Sequence, residues 1–134
     1  MKSSVAVRVA IGSVLAMTTV AAHAQDWTPA SELVGQPIQV TTVGVTNTLY
    51  LDPGGALRIF TPKGNMASGT WTAVNGKLCL LVGGQRECVP YPRPFQAGTP
   101  NVLTSSCGAT ETWLVQSTNP APAPASGASS TLRR

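Results

Sequence analysis

The sequence predicts a mainly β protein, a small antiparallel meander that forms a barrel or a sandwich, with one short N-terminal helix. Segments rich in β-branched residues recur along the chain, and Gly, Pro and Asn residues separate them. Only one brief segment carries the start and stop signals of a helix. Because the turn signals recur at hairpin spacing, an antiparallel barrel or sandwich is the expected architecture.

Residues 1–24 are predicted to be a secretory signal peptide. Lys2 and Arg8 precede an apolar stretch that ends in AHA at residues 22–24, the small-residue pattern of a cleavage site. This stretch is shorter than the roughly 20 residues that a spanning helix needs, and no later segment is both long and uncharged enough to span a bilayer. We therefore expect a mature protein that begins near Gln25, has no transmembrane segment, and is periplasmic or secreted, where disulfides can form.

A single β-domain is expected over residues 25–116. In DWTPASELVGQP, Thr28 can cap a short helix that has Pro29 at its first position and Gly35 near its end. Residues 117–134 are rich in Pro, Ala and Ser and have almost nothing to bury, which predicts a disordered tail.

The remaining elements are all strand-like. IQVTTVGV and TNTLYL come first, and DPGG then forms a hairpin turn into ALRIF, with Pro53 setting its first central torsion. TPKGN is the next turn, MASGTWTAV the next strand, and Asn75 with Gly76 is a strong hairpin signal. KLCLLV and QRECVP flank two glycines, and NVLTSS and TETWLV follow a Pro-rich connection. Closed into a barrel, such a meander would be lipocalin-like.

Cys79 and Cys88 are predicted to form a disulfide. If the two glycines between their strands are a two-residue loop, the cysteines lie directly opposite each other at a non-hydrogen-bonded position, where side chains approach most closely. A redox pair usually reads Cys-x-x-Cys, and a zinc site would lack ligands. Cys107 stays unassigned between a buried free thiol, a bridge to Cys88 or Cys79 in place of the hairpin disulfide, and an intermolecular disulfide.

The same register assigns the two faces of the hairpin. It places Leu80 opposite Glu87 on one neighbouring strand and opposite Trp71 on the other. One face then carries Trp71, Ala73, Leu78, Leu80 and Val89, and the other carries the cysteines with Thr72, Val74 and Leu81. Trp71 is expected in the core.

The composition argues against an enzyme. The only histidine, His23, lies in the signal peptide, so the mature chain lacks the commonest general base and metal ligand. The candidate acid/base pairs, Asp52 with Glu87 or Glu111, are expected to be solvated, and no nucleophile or nucleotide-binding motif is present. We therefore predict no enzyme, no cofactor and no metal site. An enzyme would require a deep pocket that holds two of the carboxylates.

Nucleic-acid binding is not expected either. The full chain has 9 Lys and Arg against 5 Asp and Glu, but Arg133 and Arg134 are its last two residues. No basic patch with interleaved aromatic residues is present to follow a phosphate backbone.

The chain resembles a group of small secreted proteobacterial proteins of unknown function. The residues that carry the resemblance are GTW at 69–71, NGKLC at 75–79 and a second cysteine, Cys88. It covers roughly residues 33–89 and implies a secreted β-meander. The group has no established activity to carry over to this chain.

The expected function is therefore a non-enzymatic binding module of the cell envelope, with an unknown envelope protein or a small apolar ligand as partner. One alternative is an inhibitor of an envelope hydrolase, in which PYPRPF is a rigid exposed loop and presents Tyr91, Arg93 and Phe95. The same segment can also be a simple crossover between sheet edges. Another alternative is a carrier of a small apolar ligand, which requires an apolar cavity inside the barrel.

Overall fold

The computed structural model describes residues 26–121, and the predicted signal peptide and the tail beyond residue 121 lie outside this range. A short 3-10 turn at Pro53–Gly55 separates the second and third strands. The eight strands are β1 Ile38–Thr42, β2 Val45–Leu51, β3 Ala56–Phe60, β4 Met66–Val74, β5 Lys77–Val82, β6 Gln85–Pro90, β7 Asn101–Thr104 and β8 Thr110–Val115.

The strands form one antiparallel sheet in the order β6-β5-β4-β3-β2-β1-β8-β7. Because β8 pairs with β1, this order follows the chain around a circle, and only the step from β6 to β7 has no strand ladder. The sheet is therefore a nearly closed barrel. This confirms the mainly β prediction and distinguishes the barrel from the sandwich.

The seam between β6 and β7 is bridged by the loop that follows β7. The backbone N–H of Ser106 donates a hydrogen bond to the carbonyl of Cys88 (2.8 Å), and the N–H of Cys88 donates to Ser106 Oγ (2.9 Å). Residues 105–109 thus provide hydrogen-bond partners for some of the backbone groups at the open edge of β6.

Residues 29–35 form consecutive turns in place of the predicted helix. Ala30 has φ 72°, in the left-handed region that a right-handed helix excludes. Its buried amide donates to the hydroxyl of Tyr91 (3.2 Å). Tertiary contacts of Ala30 therefore override the local helix signals of Pro29 and Gly35.

The predicted register and faces of the central hairpins are confirmed. Trp71 pairs with Leu80 and Cys79 with Cys88. Leu78 and Val89 are buried, whereas Val74 and Leu81 on the opposite face are exposed. The buried apolar residues of the core are Ala30, Leu33, Ile38, Val40, Leu49, Leu51, Leu57, Leu78, Val89, Tyr91, Phe95, Trp113 and Val115.

The two ends of the barrel differ in construction. At one end the N-terminal turns and the connection at residues 91–100 pack over the interior. Tyr91 and Phe95 of that connection are buried, with their ring centroids 5.0 Å apart. This end is closed by aromatic packing. The other end carries only short loops, at residues 43–44, 61–65, 83–84 and 105–109.

Ordered structure continues past the predicted domain boundary at residue 116. The side-chain amide of Asn119 donates to the carbonyls of Ser31 (3.0 Å) and Val34 (2.7 Å), and its backbone N–H donates to that of Glu32 (2.9 Å). The first residues of the predicted tail are thus attached to the N-terminal turns. Within residues 26–121, no helix has the length and hydropathy that crossing a membrane requires.

Candidate functional site

A cavity of about 140 Å³ lies inside the barrel, toward the end with the short loops. Its walls are mainly apolar side chains from β1, β2, β3, β5, β6 and β8. Four polar side chains also line it: Thr42, Asn47, Glu87 and Glu111. A mostly apolar cavity with a few converging polar groups is typical of small-ligand sites.

Glu87 and Glu111 bring two carboxyls together in this cavity. Glu111 is only 6% exposed, and the indole N–H of Trp113 donates to its Oε2 (2.7 Å). Burial raises the pKa of Glu111 to about 7, its hydrogen bond to the Glu87 carboxyl raises it as well, and the Trp113 hydrogen bond lowers it. Below that pH the Glu111 carboxyl keeps its proton, which it can donate to the Glu87 carboxyl.

Asn47 also lines the cavity, although its carbonyl oxygen is packed against the surrounding protein. Its Oδ1 is fully buried and receives no hydrogen bond from any described residue. A buried carbonyl without a donor costs about 1 to 3 kcal/mol.

The expectation that the candidate carboxylates are solvated is wrong for Glu111, and the pairs with Asp52 do not form. Asp52 instead forms a bidentate ion pair with Arg58, at 2.6 and 2.9 Å, on the outside of the barrel. The Arg58 hydrogen bond lowers the pKa of Asp52. The hairpin register could have identified Glu87 as an inward-facing carboxylate, because it places Glu87 opposite Leu80 on the core face.

The burial of Glu111 could also have been predicted from the sequence. Glu111, Trp113 and Val115 alternate along β8 and are all buried, which is the period of an inward-facing strand. That Glu87 faces Glu111 requires closure of the sheet, because β6 and β8 are not hydrogen-bonded neighbours. Local patterns carry no information about this closure.

The predicted Cys79–Cys88 disulfide is present. The two residues are directly opposite, with their Cα atoms 4.0 Å apart. Arg86 covers the outer side of the bridge, with Nη2 3.5 Å from Cys79 Sγ. The bridge therefore lies on the outer face of the barrel, away from the cavity.

Cys107 is a free thiol, but it is exposed rather than buried. It lies in a turn that the hydrogen bond from Gly108 N–H to the carbonyl of Ser105 (2.9 Å) closes. Because Cys107 is at the tip of this turn, its side chain points outward. The Sγ atom is 4.0 Å from the carbonyl oxygen of Arg86 on β6.

The proposed interaction loop does not present its aromatic residues. Tyr91 and Phe95 are 1% and 7% exposed, and only Arg93 is exposed. The carboxylate of Glu32 accepts hydrogen bonds from the Tyr91 hydroxyl, the Phe95 N–H (2.8 Å) and the Trp27 indole (3.0 Å). These contacts hold the segment over the closed end of the barrel.

Comparison of the chain with protein-family models, with curated proteins and with solved structures finds no match. The resemblance to small secreted proteobacterial proteins therefore stays a prediction. The geometry of the cavity is the basis for interpreting its function.

Proposed function

We propose that this protein is a non-enzymatic binding module of the cell envelope or the extracellular space, which holds a small, largely apolar molecule in its barrel. The observation that carries the proposal is the cavity of about 140 Å³, with apolar walls and a few converging polar groups. The predicted signal peptide and the internal disulfide support the location.

The volume of the cavity limits the size of the ligand. A cavity of about 150 Å³ in another protein accommodates benzene, which has six non-hydrogen atoms. We therefore expect a ligand, or the inserted part of a larger one, of about six to eight non-hydrogen atoms. In this arrangement the fold acts as a lipocalin-like barrel with a small interior site.

The inhibitor interpretation has less support. It requires a protruding loop with exposed aromatic residues, and Tyr91 and Phe95 are buried. Their contacts with Glu32 stabilise the barrel, and of the three residues proposed for the loop only Arg93 is exposed.

A second candidate function, acid/base catalysis, is favoured by one observation. Glu87 and Glu111 are two carboxyls in one cavity, and a proton bound near neutral pH is what a general acid requires. We favour binding because the cavity is small. Its other walls also supply mainly apolar side chains rather than groups that stabilise a charged transition state.

Binding is tested by titrating ¹⁵N-labelled protein with 3-methylbutan-1-ol, a branched probe with six non-hydrogen atoms, and following the amide NMR shifts. We expect saturable shifts at cavity residues on β1, β2, β6 and β8. Leu80→Trp fills the cavity and should abolish them. Leu81→Trp, the neighbouring change on the outer face of the same strand, should leave them intact.

The absence of saturable shifts, or shifts that persist in a folded Leu80→Trp variant, would overturn the proposed function. Ile59→Phe fills the cavity from another strand and serves if Leu80→Trp does not fold.

A further inference from the structure

We propose that the ligand of this cavity carries a protonated amine, which donates hydrogen bonds to Glu87 and Glu111. This proposal rests on the proposed function, because it names the chemical class of the molecule that the barrel binds. It concerns the head group of the ligand, whereas the proposed function concerns the cavity.

The cavity has more hydrogen-bond acceptors than donors. The two carboxyls supply four oxygens, and Trp113 donates to one of them. An ammonium group has three N–H donors and no acceptor, so it complements this set better than a hydroxyl or a carbonyl does.

The carboxylates of the cavity have no positively charged partner among the residues that line it. The only ion pair within residues 26–121 is that of Asp52 and Arg58, outside the barrel. The cavity walls contain no Lys or Arg, and Glu87 and Glu111 are their only charged groups. A buried carboxylate such as that of Glu111 is stable only when it is paired with a positive group or protonated. A ligand cation would take the place of the proton.

The apolar walls distinguish an organic amine from a metal ion. Ca²⁺ requires six to eight oxygen ligands, and Mg²⁺ keeps several waters. Apart from the four polar side chains, the side chains that line the cavity are aliphatic or aromatic. Within residues 26–121, no group of three His, Cys, Asp or Glu side chains could hold a metal. A compact hydrocarbon body behind the ammonium would occupy the apolar part.

The test compares 3-methylbutylamine with its isostere 3-methylbutan-1-ol by calorimetry and NMR. At pH 8 the amine is protonated, and Glu111, with a pKa of about 7, is mostly ionised. We expect the amine to bind about tenfold more tightly than the alcohol, because charge-assisted hydrogen bonds are the stronger ones. Glu111→Gln should remove most of this preference. Asp52→Asn removes the same charge outside the cavity and should leave the preference unchanged.

The outcomes separate the two proposals. If the alcohol binds as tightly as the amine, the cavity is a ligand site and the amine class is wrong. If neither probe binds, the proposed function itself is wrong. If Ca²⁺ or Mg²⁺ shifts the Glu87, Glu111 and Asn47 resonances and the amine does not, the acceptors hold a metal ion and the amine class is wrong.

Discussion

The Glu87 and Glu111 carboxyls meet inside the barrel, although their strands are separated in the sheet by β7 and by the seam. Only the closure of the meander brings them together. Their contact defines the polar side of a cavity that is otherwise apolar.

The unfolding free energy should fall as pH rises from 5 to 8. Burial raises the pKa of Glu111 from 4.5 to about 7, so the folded state binds its proton more tightly than the unfolded state. The resulting stability is fully present below pH 4.5 and is lost as pH rises through about 7. We expect a loss of about 2 kcal/mol, less than the full shift implies because the cavity is partly open and solvent screens its charges.

Urea denaturation at pH 5 and pH 8 measures this loss. Glu111→Gln should show a much smaller difference between the two pH values. Because the pKa of Asp52 is lowered, its contribution to the unfolding free energy changes only below pH 5. An equal pH dependence in the wild type and in Glu111→Gln would contradict the assignment.

Glu32→Ala should destabilise the protein by about 3 kcal/mol. The substitution leaves buried donors on Tyr91 and Phe95 without an acceptor. It also releases the segment that closes one end of the barrel. Asp26→Asn, at a nearby exposed carboxylate, is the control and should have little effect in the same urea titration. Similar midpoints for the two variants would rule out a structural role for Glu32.

The strands and the hairpin register could be predicted because glycine-containing two-residue loops fix both. Asn75, Gly83 and Gly84 all have positive φ, as their turns require. The disulfide follows from the same register. The helix and the exposed loop were wrong because Ala30 and Tyr91 are held by contacts with residues distant in sequence. The contact between Glu87 and Glu111 was missed because it also depends on residues that are distant in sequence.

Removing the disulfide with Cys79→Ser and Cys88→Ser together should lower the unfolding free energy by about 2.5 kcal/mol. The bridge closes a loop with a sequence separation of 9, and the estimate is the chain entropy that such a loop removes from the unfolded state. Urea titration of the oxidised wild type and the double variant measures the difference. A change below about 0.5 kcal/mol would contradict this account of the bridge.

Cys107 should react with iodoacetamide in the native protein, without reduction or denaturant. Its side chain is exposed at the tip of the loop before β8, whereas Cys79 and Cys88 are bridged. Mass spectrometry of mapped peptides should find one modified cysteine before reduction and three after it. Peptides that link Cys107 to Cys88, or to Cys107 of a second molecule, would show another disulfide arrangement.

Gly69→Ala should destabilise the barrel by more than 2 kcal/mol, although Gly69 is not in a turn. A Cβ atom at this position would overlap the backbone carbonyl of Leu81 on the neighbouring strand and crowd Val82. A backbone atom cannot move away without disrupting the pairing of β4 with β5. This gives a physical reason for the first residue of the GTW motif.

Ser68→Ala, at the exposed preceding residue of the same strand, is the matched control and should change the unfolding free energy by less than about 0.5 kcal/mol. Thermal and urea unfolding of the two variants make the comparison. Because β5 also contributes Leu78 and Leu80 to the cavity, a folded Gly69→Ala variant should also bind 3-methylbutan-1-ol more weakly. Equal stability of the two variants would show that β4 and β5 separate more easily than their close approach implies.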